Sequence, residues 1–220
     1  MLSPMACVID WPGTASFVRD VIVSIATVVT ATVAVKGINK WRAEESGKAD
    51  FELSRRVGRA AFRLRDVLAN ARRNIVTAGE FPEGYKAGNA DEEEKASAWA
   101  HIFEARWTLV RDCAIEIQSL RNEAEALWGR EIVGHLGKLL AHVQALRGSM
   151  EAYIANERSG GEDFKMDTEF GQRMRAQVFD SGSWRTSPGG KPEPNQLTSA
   201  IEADVDATAA YLRTKLPHRG

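Results

Sequence analysis

Residues 17–35 read FVRDVIVSIATVVTATVAV, and the reading of this stretch decides what kind of molecule the chain is. From Val21 to Val35 run 15 consecutive uncharged residues, rich in Val, Ile, Ala and Thr. With Phe17 and Val18 the apolar length comes close to the roughly 20 residues that a membrane-crossing helix needs. Arg19 and Asp20 interrupt it one turn from its start, where both side chains reach headgroups or water at an interface. Lys36, Lys40 and Arg42 follow the run, whereas its N-terminal side carries no excess of Lys or Arg. A single transmembrane helix of this polarity leaves the N-terminus outside and the bulk of the chain in the cytoplasm, at the inner (cytoplasmic) membrane. Trp11 and Trp41 stand where interfacial aromatic anchors are expected. Two alternatives stay open. Thr32-Val33-Ala34 is a passable signal-cleavage site, although MLSPMACVIDW carries only Asp10 and no positive start. A run of 15 residues is also short enough to be a buried helix of a soluble protein.

The same helix carries a second pattern. Ser24, Thr27, Ala31 and Ala34 recur at spacings of three and four, so small side chains share one face. In a bilayer, such faces let helices approach closely, because packing and hydrogen bonds drive association there. The pattern therefore predicts homo-oligomerisation, and a ring of copies would present Ser and Thr hydroxyls to a lumen.

Composition sets the outer bounds. The 220 residues include 29 basic and 30 acidic side chains, 27% charged and 44% apolar. With a mean hydropathy of −0.31, the chain is not a polytopic membrane protein, and its apolar content excludes a fully disordered one. Two cysteines, Cys7 and Cys113, are too few for a disulfide framework. Cys7 lacks the leucine and basic start of a lipoprotein signal, and Cys113 reads as a small buried hydrophobe.

Beyond Gly47 the periodicity is helical throughout. Asp50 is placed to cap a helix whose stripe is Leu53, Val57, Ala61, Leu64, Leu68, Ala71 and Ile75. After a loop from Gly79 to Ala90, Asp91 and three glutamates open the next helix, where the helix dipole favours acids. It runs through Trp99, Phe103, Trp107, Val110, Ala114 and Ile117 to Leu127 and Trp128. Gly129 is a C-cap, and a further stripe follows at once, Ile132, Leu136, Leu139, Val143, Leu146, Met150 and Tyr153. A tight antiparallel helical hairpin is predicted there, with one kinked helix as the alternative. A short helix from Thr168 to Phe179, an irregular stretch from Asp180 to Asn195 and a last helix capped by Asn195 and stopped by Pro217 complete the chain. No segment alternates with period two. The fold class is all-α: a single N-terminal transmembrane helix followed by a cytoplasmic four- to five-helix bundle. Residues 1–46 form the extracytoplasmic tip, span and juxtamembrane segment, and residues 47–220 the helical domain.

Charge is unevenly spread. From Lys36 to Ile75 eleven basic residues face five acidic ones, a net of +6, which leaves −7 for the rest of a chain whose total is −1. Arg55, Arg59 and Arg63 lie four apart beside Arg56, a row of guanidinium groups on one face. This row is the candidate site for anionic lipid or phosphate, attracted by roughly 1 kcal/mol per charge near a membrane surface. Nucleic acid is a lesser candidate partner, because few aromatics sit among the charges for base stacking. Pairing with the acidic helix that starts at Asp91 is the internal alternative.

Reaction chemistry is sparse. His101, His135, His142 and His218 do not form a helical metal pair, so no metal and no cofactor is expected. No glycine-rich phosphate loop or nucleophile elbow occurs, no small-molecule substrate is implied, and the balance leans away from an enzyme. One short motif stands apart. Arg130-Glu131-Ile132-Val133-Gly134-His135 resembles the R-x4-H pattern of HEPN domains, all-helical modules that include many ribonucleases. That resemblance implies phosphate binding by Arg130 and a catalytic or phosphate-contacting role for His135, although Glu131 departs from the usual Asn, Asp or His. The order of elements resembles uncharacterised bacterial membrane-anchored helical proteins. It also resembles the HEPN-like membrane accessory proteins of type VI-B CRISPR systems, which form pores and support antiviral defence. Two functions are thus expected from the sequence: a self-associating membrane pore or scaffold, and a membrane-anchored HEPN-type ribonuclease.

Overall fold

The structure, a computed structural model, describes residues 11–180 and 195–216. Every regular element among them is helical, which establishes the all-α class. The helices are α1 (Trp11–Ala71), α2 (Glu92–Trp128), α3 (Arg130–Arg158), α4 (Glu162–Met166), α5 (Thr168–Val178) and α6 (Gln196–Lys215), with a 3-10 turn at Ala78–Glu80. The chain divides into two units, Met1–Ala49 and Asp50–Gly220.

The second unit is a helical bundle around one apolar core. The α1 stripe Leu53, Val57, Ala61, Leu64 and Leu68 is buried, as are Ile102, Val110, Cys113 and Ile117 of α2. Ile132, Leu136, Leu139, Val143, Leu146 and Met150 of α3 and Ile201, Val205 and Leu212 of α6 join them in a single cluster. Helices α2 and α3 pack extensively against each other as the expected hairpin. Its turn is the single residue Gly129, whose φ of +77° is one that side-chain-bearing residues avoid. Asp91 caps α2 by accepting from the Glu94 N–H at 2.8 Å, and Glu94 reaches back to the Asp91 N–H at 3.2 Å. Asn195 caps α6 as expected.

Three local expectations are corrected. Asp50 does not cap a helix. Helix α1 continues through Gly47 and Asp50, and the Asp50 carboxylate instead accepts the Trp128 indole N–H at 2.8 Å. One glycine costs a helix only about 1 kcal/mol, too little to break it when the residues on both sides favour it. Ile75 is not on the core stripe, because α1 ends at Ala71 and leaves Ile75 73% exposed. The stretch after Ser159 holds an additional short helix, α4, which crosses α5 so closely that a Cβ on Gly171 would lie 2.6 Å from the Cβ of Phe164. Apart from Asp180 and Asn195 themselves, the irregular stretch between them lies outside the described residues, as do Cys7, Pro217 and His218.

In the first unit, side chains are described from Val23 onward, Ala26 and Ala43 excepted. Phe17 to Ile22, the start of the expected span, therefore fall outside them. Among the described residues, no helix is long and apolar enough to cross a membrane.

Candidate functional site

Three groups of residues were expected to carry function: the small-residue face of α1, the arginine row, and Arg130 with His135. The first lies on a helix whose apolar side chains are uncovered. Val23, Ile25, Val28, Val29, Val33 and Val35 are 56–65% exposed, and Ile38 and Trp41 follow at 51% and 61%. Ser24, Thr27, Ala31 and Ala34 are exposed on the same helix. The hydroxyls of Thr27 and Thr32 fold back on their own helix, donating at 2.8 Å to the carbonyls of Val23 and Val28. A threonine satisfied in this way presents its methyl outward and needs no water for its proton.

The arginine row is mostly neutralised. Arg55 pairs with Glu52 at 2.9 Å on its own helix, while Arg56 and Arg63 reach across to α2, to Glu123 at 2.9 Å and Glu116 at 3.1 Å. Their α2 partners lie well down that helix from the glutamates of its first turn. Arg59 is exposed and, with Lys36 and Arg42, has no ion pair among the described residues. The row thus stitches α1 to α2, and of its four members Arg59 alone offers an unpaired guanidinium among the described residues.

Arg130 and His135 are not brought together. Arg130 is exposed at the first position of α3, and His135, five residues on, packs its ring against Tyr211 at 5.1 Å. Neither lines the clefts walled by Pro82 and Ser97, by Arg173 and Leu197, by Arg65 and Ile201, or by Phe51 and Leu212. His142 instead meets Asp204 of α6 at 2.8 Å, with Lys138 at 3.7 Å from the other carboxylate oxygen. The nearby Thr208 hydroxyl is donated to the Asp204 carbonyl, so it is not held against the imidazole as a nucleophile. Among the described residues, no three His, Cys, Asp or Glu side chains gather where a metal ion could be held.

Two buried arginines escaped the sequence reading. Arg72 is 1% exposed and uses four of its donors: Nε to the Gln177 carbonyl (2.7 Å), Nη1 to Thr198 Oγ1 (2.8 Å), and Nη2 to the Ala176 carbonyl (3.1 Å) and Asn195 Oδ1 (2.7 Å). Thr198 in turn donates to Asp180 at 2.8 Å, and the Asp180 N–H is bonded to the Arg72 carbonyl at 2.7 Å. Burial pulls the pKa of this guanidinium down, and the charge of Asp180 opposes that. Arg106 does the same work at the end of α1. It donates to the carbonyls of Ala71 (3.4 Å), Arg73 (2.9 Å) and Ile75 (2.9 Å) and pairs with Glu80 at 2.7 Å. That hydrogen bond, with help from the Thr77 N–H and Arg73, holds the Glu80 carboxyl at about 2 against an ordinary 4.5. A cation over the last carbonyls of a helix satisfies groups that have no intrahelical partner and complements the dipole. With most of their donors committed, Arg72 and Arg106 are clamps and not ligand-binding groups. The signal for both was present: Arg72 continues the buried stripe four residues after Leu68, and Arg106 falls between Phe103 and Val110 in the α2 stripe.

The fold and these surfaces define an all-helical protein with an uncovered apolar helix and an internally clamped bundle. Comparison with protein-family models, with curated proteins and with solved structures finds no match for this chain.

Proposed function

We propose that the chain is a single-pass, membrane-anchored helical protein that self-associates through the Ser24, Thr27, Ala31 and Ala34 face, with its bundle on the cytoplasmic side. One observation carries this reading: among the described residues, the large apolar side chains Val23, Ile25, Val28, Val29, Val33, Val35, Ile38 and Trp41 are each more than half exposed. Contiguous apolar surface of more than a few hundred Å² is rare on soluble monomers and marks a membrane or protein contact. Each Å² left in water costs on the order of 25 cal/mol, so such a row needs a cover. The returned hydroxyls of Thr27 and Thr32 support lipid as that cover, because hydrocarbon offers no alternative acceptor. They also favour a packed scaffold over a ring whose lumen is lined by those hydroxyls.

Alkaline carbonate extraction of membranes carrying the full chain tests the anchor. The protein is expected in the pellet, and the pair Val28→Asp and Val29→Asp is expected to move it to the supernatant. Release of the unaltered chain by carbonate would defeat the proposal.

A further inference from the structure

A groove of about 310 Å³ runs between α1 and α6 in the bundle, and nothing in the function proposed above uses it. Its walls are apolar: Phe51 and Phe62 on α1, Ala209 and Leu212 on α6, and Leu216 just after it. The two phenylalanine rings are 47% and 40% exposed, unusual for large aromatics at the edge of a formed core. Gly58 forms part of the floor, and its missing side chain keeps the groove open above Leu212, whose Cδ1 would lie 3.6 Å from a Cβ there.

Three polar features break this apolar lining. Ser54 is 5% exposed and its hydroxyl has no hydrogen-bond partner, although a serine inside a helix ordinarily bonds back to the preceding turn. Arg213 is exposed and has no carboxylate partner among the described residues. Arg55 lines the same groove, held by Glu52 at 2.9 Å with both side chains more than half exposed. A cleft of this size with apolar walls and a few convergent polar groups has the form of a small-molecule site. The excess of guanidinium over carboxylate selects a negative head, and the walls select a hydrocarbon body.

We propose that this groove binds a single-chain anionic amphiphile, a long-chain fatty acid, with its alkyl chain between Phe51 and Phe62 and its carboxylate on Arg213. Arg213 is the member of the pair with no competing partner, so it supplies most of the charge recognition. The proposal rests on the groove alone and is independent of how the first unit is held at a membrane.

The test uses the full chain in phosphatidylcholine nanodiscs, a diazirine-bearing fatty acid as photolabel, and laurate or dodecanol as competitors, with labelled residues located by mass spectrometry. Label is expected on residues 51–62 and 209–216, competed by laurate and not by dodecanol at the same concentration. Arg213→Gln is expected to weaken laurate competition about tenfold, the loss of one charge-assisted contact. Gly58→Leu is expected to abolish labelling by filling the floor; should that variant fail to fold, Arg213→Gln decides. Equal competition by dodecanol, no effect of Arg213→Gln, or label confined to other residues would overturn the proposal. So would protection of the groove by nanodiscs containing an anionic diacyl lipid when laurate gives none. Failure here leaves the carbonate result unaffected, and label confined to residues 23–41 would speak for the anchor alone.

Discussion

The two units place their side chains in opposite ways. Val28 and Val33, among the most apolar residues of the chain, stand 65% and 64% exposed in the first unit, while Arg72 in the second is 1% exposed. Hydropathy alone predicts the reverse. The difference lies in what each group has for company. Arg72 is buried because helix ends surround it with carbonyls, an amide oxygen and a hydroxyl that its planar fork can satisfy. The valines are left uncovered among the described residues of their own unit. A buried cation that is satisfied is stable, whereas an uncovered apolar row is a demand for a partner.

The largest expected effect comes from removing the buried cation. Arg72→Met should cost about 3–5 kcal/mol, because the Gln177 carbonyl loses its donor, Asn195 Oδ1 and the Ala176 carbonyl each lose one of theirs, and Asp180 loses the cation beside it. Urea denaturation measures this; a loss below about 1 kcal/mol would break the contrast by showing that burial there is incidental.

Glu80→Gln should cost less, about 1–2 kcal/mol, because the carboxylate is near the surface and its pair with Arg106 is partly screened. The pH dependence has a definite sign. A carboxyl held at about 2, against 4.5 ordinarily, contributes its full stabilisation above pH 4.5 and loses it as pH falls toward 2. The variant should therefore show a flatter decline of stability across that window, as measured by thermal unfolding at several pH values.

The smallest effect belongs to the surface row. Arg56→Gln or Arg63→Gln should cost less than about 1 kcal/mol, and 1 M salt should erase most of the difference from the unaltered chain. A larger, salt-insensitive loss would move this row from the exposed class to the buried one and sharpen where the division falls.

Much of the bundle was legible in the sequence because one face of each long helix repeats every three or four residues. The stripes at Leu53–Leu68 and Ile132–Met150 needed no tertiary information. The single-residue turn at Gly129 and the caps at Asp91 and Asn195 were legible for the same reason, since each is a local preference. Asp50 was misread because an acid after a glycine is a good cap only where the helix stops, and the partner that occupies it, Trp128, is distant in sequence. Arg72 was read only as one charge of the basic segment and Arg106 was not singled out, although both sit in the stripes. Their burial depends on carbonyls contributed by other helix ends, which no local pattern encodes. The arginine row was visible as a row; its partners Glu116 and Glu123 became evident only once α2 lay beside α1.

The protein mass per particle of the full chain in a mild detergent, by light scattering with the bound detergent subtracted, tests the central claim most directly. The account predicts a uniform species at an integral multiple of 24.2 kDa, falling to 24.2 kDa when Ala31→Leu and Ala34→Leu crowd the small face. A monodisperse 24.2 kDa particle, unaltered by those substitutions, would contradict it.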